Sequence, residues 1–230
     1  STDRKLHFFD YLNDHYGTGF GAGQFSDDVV PIGEKVHIGF VKSGVSGTYY
    51  INGQVAGRIT ARFSFIYNDR YLGIGYNPHD GGRHFVGEME NVKIFNTAFT
   101  GDEIMRVYEV FGFTNTPTTA PTVPTTAPTS VPTSGSIFSL NGPLSFTGSS
   151  GVMYDPISAN VYHNLAISMV IKTSSAGSVL MSLGRAPDDN ERFFHFMIAG
   201  GQKLLFFDYL DSTVGFGFTT SRLSDGSVPV

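Results

Sequence analysis

Short segments of apolar or alternating apolar and polar residues recur along the chain, and this pattern is typical of β-strands. They predict strands at residues 6–12, 34–41, 48–55, 58–66, 71–76 and 85–95, and again at 165–172, 178–183 and 192–198. The dipeptide Asn52-Gly53 lies inside the third segment, where it predicts a two-residue hairpin turn. The pattern therefore predicts an all-β fold with many turns.

One short segment follows a helical pattern instead. Thr100 is followed three residues later by Glu103, which is the spacing of a capping box at a helix N-terminus. We therefore predict a short helix that begins after Thr100 and ends near Tyr108.

Residues 114–134 lie between the two groups of predicted strands and contain no charged, aromatic or glycine residue. Nine threonines, two serines and five prolines make up most of these 21 residues. Proline at this spacing excludes a helix or an inner strand and favours polyproline II. At about 3.1 Å per residue, this Thr/Pro tract is predicted to be a semi-rigid rod of roughly 65 Å.

The sequences on the two sides of the Thr/Pro tract are related. Residues 5–32 align without a gap to residues 203–230, with 14 of 28 positions identical and an offset of 203 − 5 = 198. An ungapped match of this length indicates a tandem repeat. Without the tract, 198 − 21 leaves about 177 residues per folded unit, which fits one all-β domain.

This repeat predicts how the chain is divided. Residues 1–113 are expected to be the C-terminal part of one repeat, residues 114–134 a linker, and residues 135–230 the N-terminal part of the next repeat. The chain would then be one period cut from a longer array at arbitrary points. Residues 135–230 could pair with residues 1–113 or with a neighbouring repeat, and the length of the tract favours the neighbour.

The amino-acid composition excludes several functional classes. Hydrophobic residues make up 40% of the chain and aromatic residues 14%, which is enough to build a core. The net charge of −5, with scattered basic residues, argues against a nucleic-acid partner. The absence of cysteine excludes disulfides, thiolate metal sites and cysteine catalysis, and no apolar run is long enough to predict a membrane span.

Residues 34–110 resemble the second half of a laminin G-like domain of the concanavalin A-like jelly-roll superfamily, which includes pentraxins and lectin-like modules. The most specific part is FVGEMENVKIFNTAFTGDEI at residues 85–104, which follows the family pattern of Phe-x-Gly, a strand ending in aromatic-Asn, and a helix that starts at Glu-Ile. The resemblance implies an antiparallel jelly-roll β-sandwich, here repeated in tandem.

The same superfamily contains laminarinase-type glucanases, which use two carboxylates on alternate strand positions and a third acidic residue. Glu88 and Glu90 are the candidates for such a pair, but no further acidic residue follows them on the strand. We therefore predict that the chain is not an enzyme.

Laminin G-like domains often bind calcium through oxygen ligands at the rim of the sandwich, and some bind sugars there. The candidate calcium ligands are the clusters at residues 77–80 and 188–191. Neither has a recognisable ligand spacing, so we predict no metal and no other cofactor, with calcium at these clusters as the alternative. The best set for glycan binding combines an aromatic ring with polar side chains in one loop: Tyr76, Asn77, Asp80 and Arg83.

The Thr/Pro tract has the composition of an O-glycosylated stalk, and no Asn-x-Ser/Thr sequon occurs in the chain. The predicted O-glycosylation sites are Thr114, Thr116, Thr118, Thr119, Thr122, Thr125, Thr126, Thr129, Ser130, Thr133 and Ser134. The candidates for hydroxyproline are Pro117, Pro121, Pro124, Pro128 and Pro132.

Together these features favour a structural subunit of an extracellular, glycosylated filament, built from laminin G-like repeats and Thr/Pro-rich rods. Its expected partners are neighbouring repeats and covalent O-glycans, with no membrane span. The alternative is a lectin-like adhesin that binds cell-surface or matrix glycans, and a more distant one is a glucanase-like protein that has lost its catalytic acids.

Overall fold

A computed structural model describes residues 4–10, 24–60, 70–76, 84–113, 136–149, 151–157, 164–184 and 194–200. These residues form thirteen strands and one helix. The elements are β1 (Lys5–Asp10), β2 (Phe25–Val29), β3 (Val36–Ser43), β4 (Ser46–Ile51), β5 (Gln54–Thr60), β6 (Arg70–Ile74), β7 (Val86–Phe95), α1 (Gly101–Val110), β8 (Ser136–Leu140), β9 (Leu144–Thr147), β10 (Val152–Ile157), β11 (Asn164–Thr173), β12 (Ser178–Gly184) and β13 (Phe194–Ile198).

The described strands form two antiparallel sheets, which confirms the predicted β-sandwich. One sheet has the order β10-β6-β12-β13-β1-β2. The other has the order β5-β4-β3-β11-β7-β8, with β9 also paired to β7. Between them lies a core to which both sheets contribute fully buried side chains, including Phe8 and Phe196 from the first sheet and Ile38 and Phe40 from the second. Phe8 and Phe40 stack across this core with ring centroids 4.1 Å apart.

Helix α1 covers the outer face of the second sheet. Its buried residues Ile104 and Val107 pack against Val41 and Phe95 in a second apolar cluster. The predicted capping box is present: the backbone N–H of Thr100 donates to Glu103 Oε2 at 2.7 Å, and the N–H of Glu103 donates to Thr100 Oγ1. The helix continues to Val110, two residues beyond the predicted end.

The predicted hairpin at Asn52-Gly53 is also confirmed. Both residues have positive φ, 50° and 74°, as a type I′ turn requires, and they connect β4 to β5. Residues 58–60 were predicted to begin a separate strand but instead complete β5, while residues 61–66 lie outside the described residues.

Segments from both sides of the Thr/Pro tract share these sheets. Strand β11 lies between β3 and β7, and β13 lies between β12 and β1. The two segments are therefore complementary parts of one sandwich within this chain. Pairing with a neighbouring repeat stays a prediction for a longer array, as does the division of the chain into parts of two repeats.

The hydroxyl group of Tyr49 ties the two sheets together inside the core. It accepts a hydrogen bond from the N–H of Phe8 at 2.7 Å and donates one to the carbonyl oxygen of Gln24 at 2.9 Å. The ring is fully buried, and this burial raises the pKa of Tyr49. The hydroxyl group therefore satisfies two backbone groups across the sandwich.

We expect Tyr49→Phe to lower the free energy of unfolding by about 2–3 kcal/mol, because it leaves a buried N–H without its partner. Urea unfolding followed by circular dichroism would measure the loss. Tyr50→Phe is the matched control, since it removes a hydroxyl group from the other face of β4 that makes no hydrogen bond to any described residue. Equal losses in the two variants would contradict the role of Tyr49.

Candidate functional site

Two aromatic rings flank the loop that the sequence indicated as a glycan site. Tyr76 follows β6 and His84 precedes β7, and their rings stack with centroids 6.0 Å apart and an interplanar angle of 7°. The N–H of Phe85 donates to the carbonyl oxygen of Gly75 at 2.7 Å and closes the base of the loop. The loop thus begins and ends at a stacked pair whose rings are both partly exposed.

The ring of Tyr76 is held from the side of β10. An added Cβ at Gly151 would collide with the Tyr76 ring, so the glycine lets the ring lie directly against the backbone. Ser182 Oγ donates to the carbonyl oxygen of Tyr76 at 3.0 Å. Partial burial raises the pKa of Tyr76 still further above neutrality, and its protonated hydroxyl group can donate a hydrogen bond at neutral pH.

This arrangement offers a flat, amphipathic surface at the rim of the sandwich. The sequence singled out Tyr76 but not His84, because the partner depends on closure of the loop. The other three residues of the predicted set, Asn77, Asp80 and Arg83, lie outside the described residues.

The candidate carboxylates Glu88 and Glu90 lie on the same face of β7, where their Cα partners on β11 are Lys172 and Val170. Glu88 is exposed. Glu90 Oε1 accepts a hydrogen bond from Lys35 Nζ at 2.7 Å, and this ion pair raises the pKa of Lys35. Glu90 therefore forms a salt bridge with Lys35 at the rim of the sheet.

The remaining predicted sites fall in parts of the chain that the structure does not describe. These are the possible calcium ligands at residues 77–80 and 188–191, and all O-glycosylation and hydroxyproline candidates of the Thr/Pro tract. Among the described residues, no group of three or more His, Cys, Asp or Glu side chains could hold a metal ion. In the same residues, no helix has the length and hydropathy needed to cross a membrane.

A buried histidine that the sequence did not distinguish from other strand residues lies beneath α1. His37 has no exposed surface, and its Nε2 atom lies 2.9 Å from Ser168 Oγ. Its ring contacts those of Tyr108 and Phe111, with centroids 5.8 Å away in each case. Burial lowers the pKa of His37 to about 3, so the imidazole is neutral at physiological pH.

Comparison with protein families supports the fold. Residues 5–105 match the family model of the concanavalin A-like lectin/glucanases superfamily, in its laminin G branch. The match begins 29 residues earlier than the resemblance seen in the sequence and includes β1 and β2. Searches among curated proteins and among solved structures gave no match. The two-sheet sandwich agrees with this match, and together they support a laminin G-like fold of the concanavalin A-like superfamily for residues 5–105.

Proposed function

We propose that this chain is a structural repeat of an extracellular, glycosylated filament in which laminin G-like sandwiches alternate with Thr/Pro-rich rods. The observation that carries the proposal is the 198-residue period on both sides of the Thr/Pro tract. Strands from both sides pair in one sandwich, as expected if each repeat contains all the strands of one domain. If each sandwich of a longer array takes all its strands from between two successive tracts, folded domains alternate with extended spacers.

In this filament the rods set the axial spacing, and the sandwiches supply stability and lateral contacts between neighbouring repeats. Sugars on the threonine and serine hydroxyl groups of the tract would stiffen the rod and shield it from proteases. No catalysis is proposed. The glucanase-like alternative is not favoured, because Glu90 forms an ion pair with Lys35 and no further acidic residue follows the two glutamates on the strand.

Electron microscopy and glycopeptide mass spectrometry of the protein secreted by a eukaryotic host would test this proposal. We expect regular fibrils with one axial period per repeat, and sugars on peptides that cover residues 114–134. The same chain made in bacteria is the control, since its tract carries no sugars. Isolated beads on mobile linkers, or an unmodified tract in the secreted protein, would count against the filament.

The stacked pair Tyr76 and His84 favours a second candidate, a lectin-like adhesin. A half-exposed aromatic surface beside a polar loop suits the apolar face of a sugar ring. A glycan array probed with the full chain, with Tyr76→Ala and with the exposed control Met153→Ala would test it. Specific binding that Tyr76→Ala alone abolishes would support the adhesin, and an array without signal would count against it.

A further inference from the structure

The junction between β13 and β1 has the geometry of a hairpin, although the two strands are far apart in the chain. The N–H of Arg4 donates to the carbonyl oxygen of Ala199 at 2.8 Å, and the N–H of Ala199 donates to the carbonyl oxygen of Lys5 at 2.7 Å. Arg4 has a φ of 60°, in the left-handed region. These features are those of a three-residue hairpin loop whose last residue is left-handed and forms a bulge.

The chain that follows Ala199 has the length that such a loop needs. Residues 200–202, Gly-Gly-Gln, separate Ala199 from Lys203, and the offset of 198 places Gln202 at the position of Arg4 and Lys203 at that of Lys5. The residues of the second copy, 201–230, lie outside those that the structure describes. A three-residue loop would therefore deliver residues 203–208 to the place that β1 occupies beside β13.

The second copy keeps the residues that the sandwich buries in the first copy. Four of the five buried residues of the β1 and β2 region are unchanged in the repeat. They are Leu6, Phe8, Ser26 and Val30, which correspond to Leu204, Phe206, Ser224 and Val228. Of the three exposed residues of β2, Asp28 and Val29 are replaced by Gly226 and Ser227, and Asp27 is kept as Asp225.

The hydrogen bonds that hold β1 to β2 would also be available to the second copy. The N–H of Leu6 donates to Ser26 Oγ at 2.8 Å, and Ser26 Oγ donates to the carbonyl oxygen of Asp28 at 2.6 Å. Leu204 and Ser224 supply the same donor and acceptor, and the third group is a backbone carbonyl that any residue provides.

The fifth buried residue changes together with its cross-strand partner. His7 is paired with Phe25, and their rings lie 4.6 Å apart. The corresponding residues of the second copy are Leu205 and Leu223, so an aromatic pair is replaced by an aliphatic pair of adjacent side chains. Such a paired change is expected if Leu205 and Leu223 are also cross-strand neighbours, as they would be if the second copy occupied the same place in the sheet.

We propose that the strand position beside β13 is an exchange site, in which residues 203–208 with residues 223–227 replace β1 and β2. The loop of residues 200–202 favours this occupant, because closing a short loop costs less entropy than closing a long one. The inference rests on the proposed array and deepens it. If β3–β7 were replaced in the same way by the next repeat of the array, each sandwich would consist of the residues between two successive Thr/Pro tracts.

Aspartate substitutions in the full chain would test the exchange. We expect Phe8→Asp and Phe206→Asp each to keep one cooperative thermal transition, with Tm lowered by less than about 5 °C, because the intact copy fills the site. The double variant should lose the cooperative transition, since each copy would then bury a charge in the core. Circular dichroism would follow unfolding, and light scattering would report the mass.

Phe40→Asp is the matched control, because Phe40 stacks on Phe8 and lies outside the repeated segment of residues 5–32. It should unfold the chain on its own. If Phe8→Asp unfolds the chain as completely as the double variant, the exchange is wrong. The proposed filament would still be tested separately, by the fibrils and sugars of the wild-type chain. A folded Phe8→Asp monomer supports the proposal, whereas a fold that appears only in a dimer would identify a second chain as the occupant and overturn it.

Discussion

Gly87→Ala is expected to lower the free energy of unfolding by about 3–5 kcal/mol, one of the largest effects of any single methyl group in this sandwich. Gly87 has a φ of 141°, which side-chain-bearing residues rarely adopt. A Cβ atom there would also clash with the carbonyl oxygen of Lys172 on the neighbouring strand β11. The obstacle is backbone, so no side-chain rotation relieves it.

The sheet cannot move away from this clash easily. Gly87 is the Cα partner of Thr173, whose hydroxyl proton is shared between the carbonyl oxygens of Ser175, at 2.7 Å, and Val86, at 3.2 Å. Ser174 donates its N–H to the carbonyl oxygen of Val86 at 3.3 Å. These bonds fix the approach of β11 to β7 where the alanine would be placed.

Urea unfolding of Gly87→Ala beside Gly142→Ala would measure the effect. A Cβ atom at Gly142 meets no atom within 4 Å, so that control should stay within about 0.5 kcal/mol of the wild type. Equal stability of the two variants would contradict the close approach of β7 and β11.

Gly87 also shows that a sequence motif can reveal a residue without revealing its structural role. The Phe-x-Gly pattern at Phe85 and Gly87 pointed to the laminin G-like resemblance, but the reason for the glycine lies in β11, more than 80 residues away. Local features, which depend only on residues close together in the sequence, were predicted correctly. The Asn52-Gly53 turn and the Thr100 capping box both depend on a few neighbouring residues and are present as predicted.

Four described strands were not predicted, and all of them lie at sheet edges. Strands β2, β8 and β10 end the sheet orders, and β9 pairs only with β7. In β2, only Ser26 is buried, so its sequence carries almost no apolar alternation. An edge strand is held mainly by backbone hydrogen bonds to one neighbouring strand. These bonds do not depend on side-chain type, so the sequence of an edge strand shows only a weak apolar pattern.

The candidate site was predictable only in part for a similar reason. Tyr76 stood out as an aromatic residue beside a polar loop, whereas its stacking on His84 depends on the bond between Phe85 and Gly75 that closes the loop. Likewise, Glu88 and Glu90 were correctly placed on one face of a strand, but the ion pair with Lys35 brings together residues 55 positions apart.

Acid is expected to destabilise the sandwich through His37. Its pKa is lowered by burial to about 3 in the folded chain, against the ordinary value of 6.5. As the pH falls, His37 therefore binds a proton at a higher pH in the unfolded chain than in the folded chain. The stabilisation is fully present above about pH 6.5 and is lost progressively toward pH 3, amounting to about 3 kcal/mol at pH 4.

The surroundings of His37 explain why protonation of its imidazole is unfavourable in the folded chain. Its ring lies among Ser168, Tyr108 and Phe111, none of which supplies a negative charge, and Nδ1 has no hydrogen-bond partner among the described residues. The charged residue next to this cluster is Lys93, whose Nζ atom lies 5.5 Å from the Phe111 ring and would repel an imidazolium. Protonation in place would bury an uncompensated positive charge beneath α1.

Urea unfolding of wild type and His37→Gln at pH 7.5, 6, 5 and 4 would isolate this contribution from that of the carboxylates. Glutamine is polar but does not titrate, so carboxylate effects are shared by both chains and cancel in the comparison. Between pH 7.5 and 4 the wild type should lose about 3 kcal/mol more than the variant. Parallel pH profiles would show that His37 gains its proton without unfolding, and would contradict its burial in the neutral form.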